Sequence, residues 1–199
     1  ENNCYSPNNY DDKYRGPMTL RDALAQSINV PSVKTLYLAG IKDSINLAKS
    51  MGIQSLGDAN DYGLTLVLGG GEVSLIDMTS AYGVFATEGY RVPYTSILKV
   101  EDKNGNTLEE IKPRPVQVLD AEVARKISDI LSDNVARTPL YGANSTIYFP
   151  GRDVAVKTGT TNNYKDAWII GYTPSVAVGA WAGNNDNTPM AKNVSGLIV

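Results

Sequence analysis

Gly151-Arg152-Asp153-Val154-Ala155-Val156-Lys157-Thr158-Gly159-Thr160-Thr161 is the stretch on which the reading of the fold turns. Pro150-Gly151 signals a turn, and the small and β-branched residues after it have the composition of a buried strand. The strand runs out into a cationic, hydroxyl-rich tip, Lys157-Thr158-Gly159-Thr160-Thr161. Glycine at the centre of an edge strand lets a ligand backbone approach closely. A lysine charge beside two threonine hydroxyls suits a carboxylate. An ordinary edge strand with a surface lysine explains the same residues, so the rest of the chain has to decide.

Two further strand candidates follow, at 166–172 and 175–182. Before the strands the chain is mostly helical. The longest amphipathic helix covers Asp120 to Val135 with Val123, Ile127, Ile130 and Leu131 inward. Tyr94 to Glu110 alternates around Asn104-Gly105, a hairpin signal. Ser74 to Thr87 reads as a helix whose Leu75, Met78, Ala81, Tyr82 and Phe85 recur at core spacing. Tyr62 to Gly71 is glycine-rich and apolar, a buried loop leading to it. Further back lie a helix at 42–51 stopped by Gly52, and one from Pro31 to Leu38 closed by Gly40. Thr19 caps a short helix to Gln26 with Leu20, Ala23 and Leu24 on one face. Ser27-Ile28-Asn29-Val30 then breaks the chain before Pro31, because the residue preceding a proline avoids helical geometry. Residues 1–18 form an irregular, extended lead-in. Helices first and sequential strands last predict an α+β fold with an antiparallel sheet, built as one domain without repeats.

Composition narrows the chemistry. With 199 residues, 42% hydrophobic and 20% charged, the chain can bury one sizeable core. A net charge of −3 presents no basic face for nucleic acid or anionic lipid. No apolar run reaches bilayer length, and Glu1-Asn2-Asn3-Cys4 does not read as a signal peptide. The absence of histidine excludes Ser-His and Cys-His nucleophile pairs and His-ligated metals within the chain. Cys4, the single cysteine, can form neither an internal disulfide nor a metal cluster. Neither a metal nor another cofactor is expected. For nucleophilic chemistry in such a chain, a lysine is the expected base.

Lys157-Thr158-Gly159 resembles the third motif of the penicillin-recognising serine enzymes, which combine S-x-x-K, S-x-N and K-T-G. Ser27-Ile28-Asn29 supplies S-x-N at a helix break that leaves both side chains free to face a cleft. The approach from Arg15-Gly16-Pro17 to Val30-Pro31 is similar to that of class A penicillin-binding transpeptidase domains. So are Leu68-Gly69-Gly70-Gly71-Glu72-Val73, Ala81-Tyr82-Gly83-Val84-Phe85-Ala86 and Asp166-Ala167-Trp168-Ile169-Ile170-Gly171-Tyr172-Thr173-Pro174. The resemblance spans nearly the whole chain. It implies an antiparallel sheet flanked by helices, with an all-helical subdomain carrying S-x-N across a cleft from the K-T-G strand.

Other matches to these patterns weigh less. Ser132-Asp133-Asn134 fits S-x-N but sits at a helix terminus, close in sequence to Lys157. Ser96-Ile97-Leu98-Lys99 is the only S-x-x-K, and on an alternating strand its Ser and Lys face opposite ways. In the family that motif opens a helix well upstream of S-x-N, and a final helix packs on the sheet. The expectation is that the chain is the C-terminal portion of a transpeptidase domain, with the nucleophile motif on a missing or separate upstream polypeptide.

The resemblance implies a D,D-transpeptidase that crosslinks peptidoglycan stem peptides through an acyl-serine and is acylated by β-lactams. The same motifs leave open a β-lactam-binding sensor or a noncatalytic penicillin-binding module. In the transpeptidase, Ser27 relays a proton to the departing D-alanine, Asn29 holds the substrate amide and Lys157 keeps the cleft positive. Thr158 and Thr160 bond the terminal carboxylate, and Gly159 and Thr161 complete the substrate-binding strand tip. The Thr160 backbone N–H joins the oxyanion hole. The site is expected on the extracytoplasmic face of the bacterial membrane.

Overall fold

The structure, a computed structural model, describes residues 5–191 and 194–198, and Cys4 lies outside them. Helix α1 spans Leu20–Ala25, and the Thr19 hydroxyl accepts a 3.1 Å bond from the Asp22 N–H. Ile28 N–H bonds to Ala23 O at 2.9 Å and Ser27 N–H to Leu24 O at 3.1 Å. This is the closure in which the residue just past a helix turns left-handed. Ser27 takes that position, with φ +55°.

Helix α2 covers Asn29–Ala39, beginning two residues before the proline that the sequence suggests as its start. Pro31 is tolerated at the third helical position because the first N–H groups of a helix have no intrahelical partner. Asn29 therefore opens a helix rather than sitting in a loop. Helix α3, Ile41–Met51, stops at Gly52 with φ +117°.

Two short 3-10 turns, Ala59–Asp61 and Leu64–Leu68, replace the expected buried loop. Tyr62 and Leu66 pack inward, but Val67 is exposed and so are Gly69 and Gly70. Helix α4, Leu75–Ala86, is capped by the Ser74 hydroxyl on the Asp77 N–H at 3.1 Å. Ala81 and Val84 of α4 meet Ile45, Met51, Ile53 and Leu56 in the helical core, and Val84 is only 1% exposed. Leu75, expected inward, is exposed, with its Cδ1 near Gly179 of the last strand as its contact.

Strand β1 (Tyr90–Arg91) pairs with β4 (Val116–Gln117), and β2 (Lys99–Glu101) pairs with β3 (Thr107–Glu110) around Asn104-Gly105. The hairpin begins at Lys99 rather than Tyr94, so Ser96 lies outside the strand. Helix α5 spans Ala121–Ser132 with Ala124 and Leu131 buried, while Val123, expected inward, is exposed. It does not run to Val135. Asp133 breaks it and caps helix α6, Asn134–Tyr141, by accepting the Ala136 N–H at 2.9 Å. Ser132-Asp133-Asn134 is thus a helix junction, braced by a 2.9 Å ion pair between Asp133 and Arg21 of α1.

Strands β5 (Ala155–Thr160), β6 (Asp166–Thr173) and β7 (Val176–Gly183) form an antiparallel sheet in the order β5-β6-β7. Leu131, Ala155 and Tyr172 are buried between α5 and the sheet, beside Tyr82 and Phe85 of α4. The Tyr172 phenol meets the Ser128 hydroxyl at 3.0 Å. The architecture is α+β, with the α1–α3 region beside an antiparallel sheet whose β5 edge, unpaired among the described residues, carries Lys157. No helix among the described residues is long and apolar enough to cross a membrane.

Candidate active site

Ser27 and Lys157 meet where α1 ends beside β5. The Lys157 Nζ donates to the Ser27 Oγ at 2.7 Å and to the Thr158 carbonyl at 2.7 Å. Burial disfavours the charged form and pushes the Lys157 ammonium down to about 8 from its ordinary 10.5. The hydroxyl reaches the lysine because Ser27 is left-handed, a conformation that disfavours any residue with a Cβ by about 1–2 kcal/mol. Glycine is the usual occupant of that position. Glycine has no hydroxyl to offer.

Asn29 stands one helical position into α2, and its side-chain amide N–H donates to the Asn8 carbonyl at 3.0 Å. It is thus held by the lead-in rather than left free. Its neighbour Asn9 is buried, accepts the Val30 N–H at 3.1 Å and donates to the Lys13 carbonyl at 2.6 Å. Ile28 offers α2 no capping side chain, so Asn9 does the work of an N-cap from 21 residues away. Next to it, Tyr10 lies close to Tyr164 in the β5–β6 connection, and that neighbour pushes its phenol up. Residues 8–10 therefore touch both the S-x-N segment and the far end of the K-T-G strand.

The threonines separate by role. Thr158 Oγ1 meets the phenolic oxygen of Tyr141, on α6, at 2.9 Å. Thr160 Oγ1 accepts a long bond from the Gly196 N–H at 3.4 Å. Thr161 donates to Asp166 Oδ2 at 2.9 Å and accepts the Asp166 N–H at 2.8 Å, closing the β5–β6 turn. Asp166 Oδ1 also accepts the Trp181 indole N–H at 3.0 Å. Gly159 pairs with Trp168 at the centre of the strand tip. Gly69 of the glycine-rich loop lies beside the Thr161 methyl group.

Three residues of this region carry no motif: Asn9, Tyr141 and Arg137. Arg137 is buried one helical turn before Tyr141, with Nη2 on the Ser132 carbonyl at 3.3 Å and no partner for Nε or Nη1 among the described residues. Burial pushes its guanidinium down. Among the described residues no cluster of three or more Cys, Asp or Glu side chains could hold a metal ion. The arrangement offers a serine hydroxyl on a lysine, a cationic strand tip, and two threonine hydroxyls on a β edge that is unpaired among the described residues.

Residues 1–198 match the penicillin binding protein transpeptidase domain family. Penicillin-binding protein 1A of Aquifex aeolicus is 37% identical over 190 residues, 96% of this chain and 25% of that protein. Penicillin-binding protein 4 of Bacillus subtilis is 30% identical over 186 residues, 92% of this chain and 29% of that protein. The chain thus spans about a quarter of the length of these relatives. Among solved structures, PonA1 of Mycobacterium tuberculosis superposes with a TM-score of 0.81 at 26% identity, covering 96% of this chain and 55% of that one. PonA1 in complex with penicillin V gives 0.76 at 27% identity, over 92% of this chain and 52% of that one. The Lys157–Ser27 contact therefore lies in a chain that belongs to the penicillin-binding protein transpeptidase family.

Proposed function

We propose that this chain supplies the S-x-N and K-T-G walls of a D,D-transpeptidase cleft, completed by a nucleophilic serine and its lysine from an upstream part of the same protein. The observation that carries this reading is the 2.7 Å bond from Lys157 to Ser27, residues 130 positions apart on opposite subdomains. A lysine of lowered basicity against a serine hydroxyl is a proton path that needs no histidine, and the chain has none.

The upstream serine attacks the carbonyl between the two terminal D-alanines of a peptidoglycan stem peptide. The peptide C–N bond breaks, and the departing D-alanine takes its proton through Ser27. Charged Lys157 draws the terminal carboxylate to the strand tip, where the Thr158 and Thr160 hydroxyls donate to it. The Thr160 N–H and the serine's own N–H stabilise the oxyanion, a pair worth several kcal/mol. Asn29 holds the substrate amide through its free carbonyl oxygen or by leaving the Asn8 carbonyl. The amine of a second stem peptide then takes the acyl group, forming the crosslink and freeing the serine. A β-lactam enters by the same route and stays as an acyl-enzyme. A relative in complex with penicillin V supports that ligand class. The substrate places the site outside the cytoplasmic membrane, with the anchor in an upstream segment.

The test is D-alanine release from a stem-peptide analogue by the complete protein, with and without an acceptor amine. Crosslinked product with the amine supports the transpeptidase. Hydrolysis alone would make it a carboxypeptidase, and β-lactam acylation without peptide turnover would make it a sensor.

A further inference from the structure

We infer that Tyr141 is a positioning residue for carboxylate recognition, fixing which way the Thr158 hydroxyl points. The inference rests on the reading of the strand tip as a carboxylate site. Tyr141 is the last residue of α6, and its phenolic oxygen lies 2.9 Å from Thr158 Oγ1. Each hydroxyl has one proton to give, so the pair has two arrangements. If Thr158 donates to Tyr141, it shows only lone pairs outward and repels an anion. If Tyr141 donates to Thr158, the threonine proton is free to point at an incoming ligand.

A carboxylate only accepts hydrogen bonds. Its arrival therefore selects the second arrangement and completes a chain from Tyr141 to Thr158 to the ligand, in which each bond polarises the next. The phenol is the better proton donor of the two hydroxyls, which biases the pair the same way before the ligand arrives. The structure leaves Thr158 no other side-chain partner among the described residues. Phenylalanine at 141 keeps the ring and removes the orienting bond alone.

The experiment measures acylation of the complete protein by a penicillin and by the methyl ester of the same penicillin, as second-order rate constants. The readout is the ratio of acid to ester, for wild type, Tyr141→Phe, Thr158→Val and the double variant. A single neutral hydrogen bond is worth about 1 kcal/mol, so Tyr141→Phe is expected to lower the acid-to-ester ratio about fivefold. The loss should appear in ligand affinity rather than in the acylation step. In the Thr158→Val background Tyr141→Phe should change the ratio no further. A ratio unchanged by Tyr141→Phe, or the same loss in both backgrounds, overturns the role of Tyr141 while leaving the strand tip as the carboxylate site. A wild-type protein with no preference for the acid overturns the carboxylate site itself, and the inference with it.

Discussion

The Lys157 ammonium donates to the Ser27 hydroxyl at 2.7 Å across the boundary between the helical region and the sheet. The contact depends on an unfavourable local choice, a serine at the left-handed residue that closes α1. Two substitutions separate the backbone from the hydroxyl. Ser27→Ala and Ser27→Gly both lose the bond to Lys157, but only glycine relieves the left-handed strain. The glycine variant is expected to be more stable than the alanine variant by about 1 kcal/mol in chemical denaturation. Both are expected to lose at least about 100-fold in β-lactam acylation, within the range for a proton-transfer group. Equal stability of the two would show that the turn carries no strain.

Lys157 makes stability depend on pH in a defined direction. Unfolded, it keeps its proton to 10.5; folded, it gives it up near 8. Between those values the unfolded chain binds more protons, so stability rises with pH, by at most about 1.4 kcal/mol per unit from this one group. Denaturation from pH 7 to 9.5 should show this rise in wild type and lose it in Lys157→Met. The range stops below the point where unfolded tyrosines ionise, since burial raises the Tyr82 phenol to about 12 and works in the opposite sense. Acylation by an anionic β-lactam should instead fall above pH 8, as the attracting charge is lost.

Asn9 should control the first turn of α2. Its side chain caps Val30 and holds Lys13, so Asn9→Ala leaves two backbone groups without partners. A lost cap and unpaired buried groups together cost about 2 kcal/mol. Faster amide exchange at Val30 is the local readout. Asn9→Asp, which keeps the acceptor, should restore part of the protection.

Asp166 ties the β5–β6 turn to β7 by bonding both Thr161 and Trp181. Asp166→Ala removes the partner of a part-buried hydroxyl and of an exposed indole N–H and should destabilise by about 1 kcal/mol. Asp166→Asn keeps a carbonyl acceptor for one of the two and should cost less. Urea denaturation midpoints compare them.

How much of this was legible depends on how local each feature is. The strand of Lys157 shows in the sequence because turn residues and β-branching act over a few positions; the break at Ser27 is real, but Pro31 lies inside α2 and the left-handed Ser27 makes the break. The three-stranded order follows from successive short runs joined by tight turns. The split of α5 from α6 was hidden, since Asp133 belongs by composition to either helix and only its capping of Ala136 reveals the junction. Val123 and Leu75 were misplaced because apolar spacing gives a face but not what covers it. Asn9 and Tyr141 carry no signal at all. Their partners lie 21 and 17 residues away, and an asparagine in an irregular lead-in or a tyrosine before a glycine looks the same with or without them.

The central claim is that this chain builds two walls of a cleft whose nucleophile comes from elsewhere in the protein. Peptide mapping by mass spectrometry, after the complete protein is exposed to benzylpenicillin, tests it most directly. The account predicts a penicilloyl adduct on a serine upstream of Glu1, lost or strongly reduced when Lys157 is replaced by methionine, and no adduct on any residue of this chain. An adduct on Ser27, Ser96 or Ser132, or a complete protein that takes up no penicillin, would contradict it.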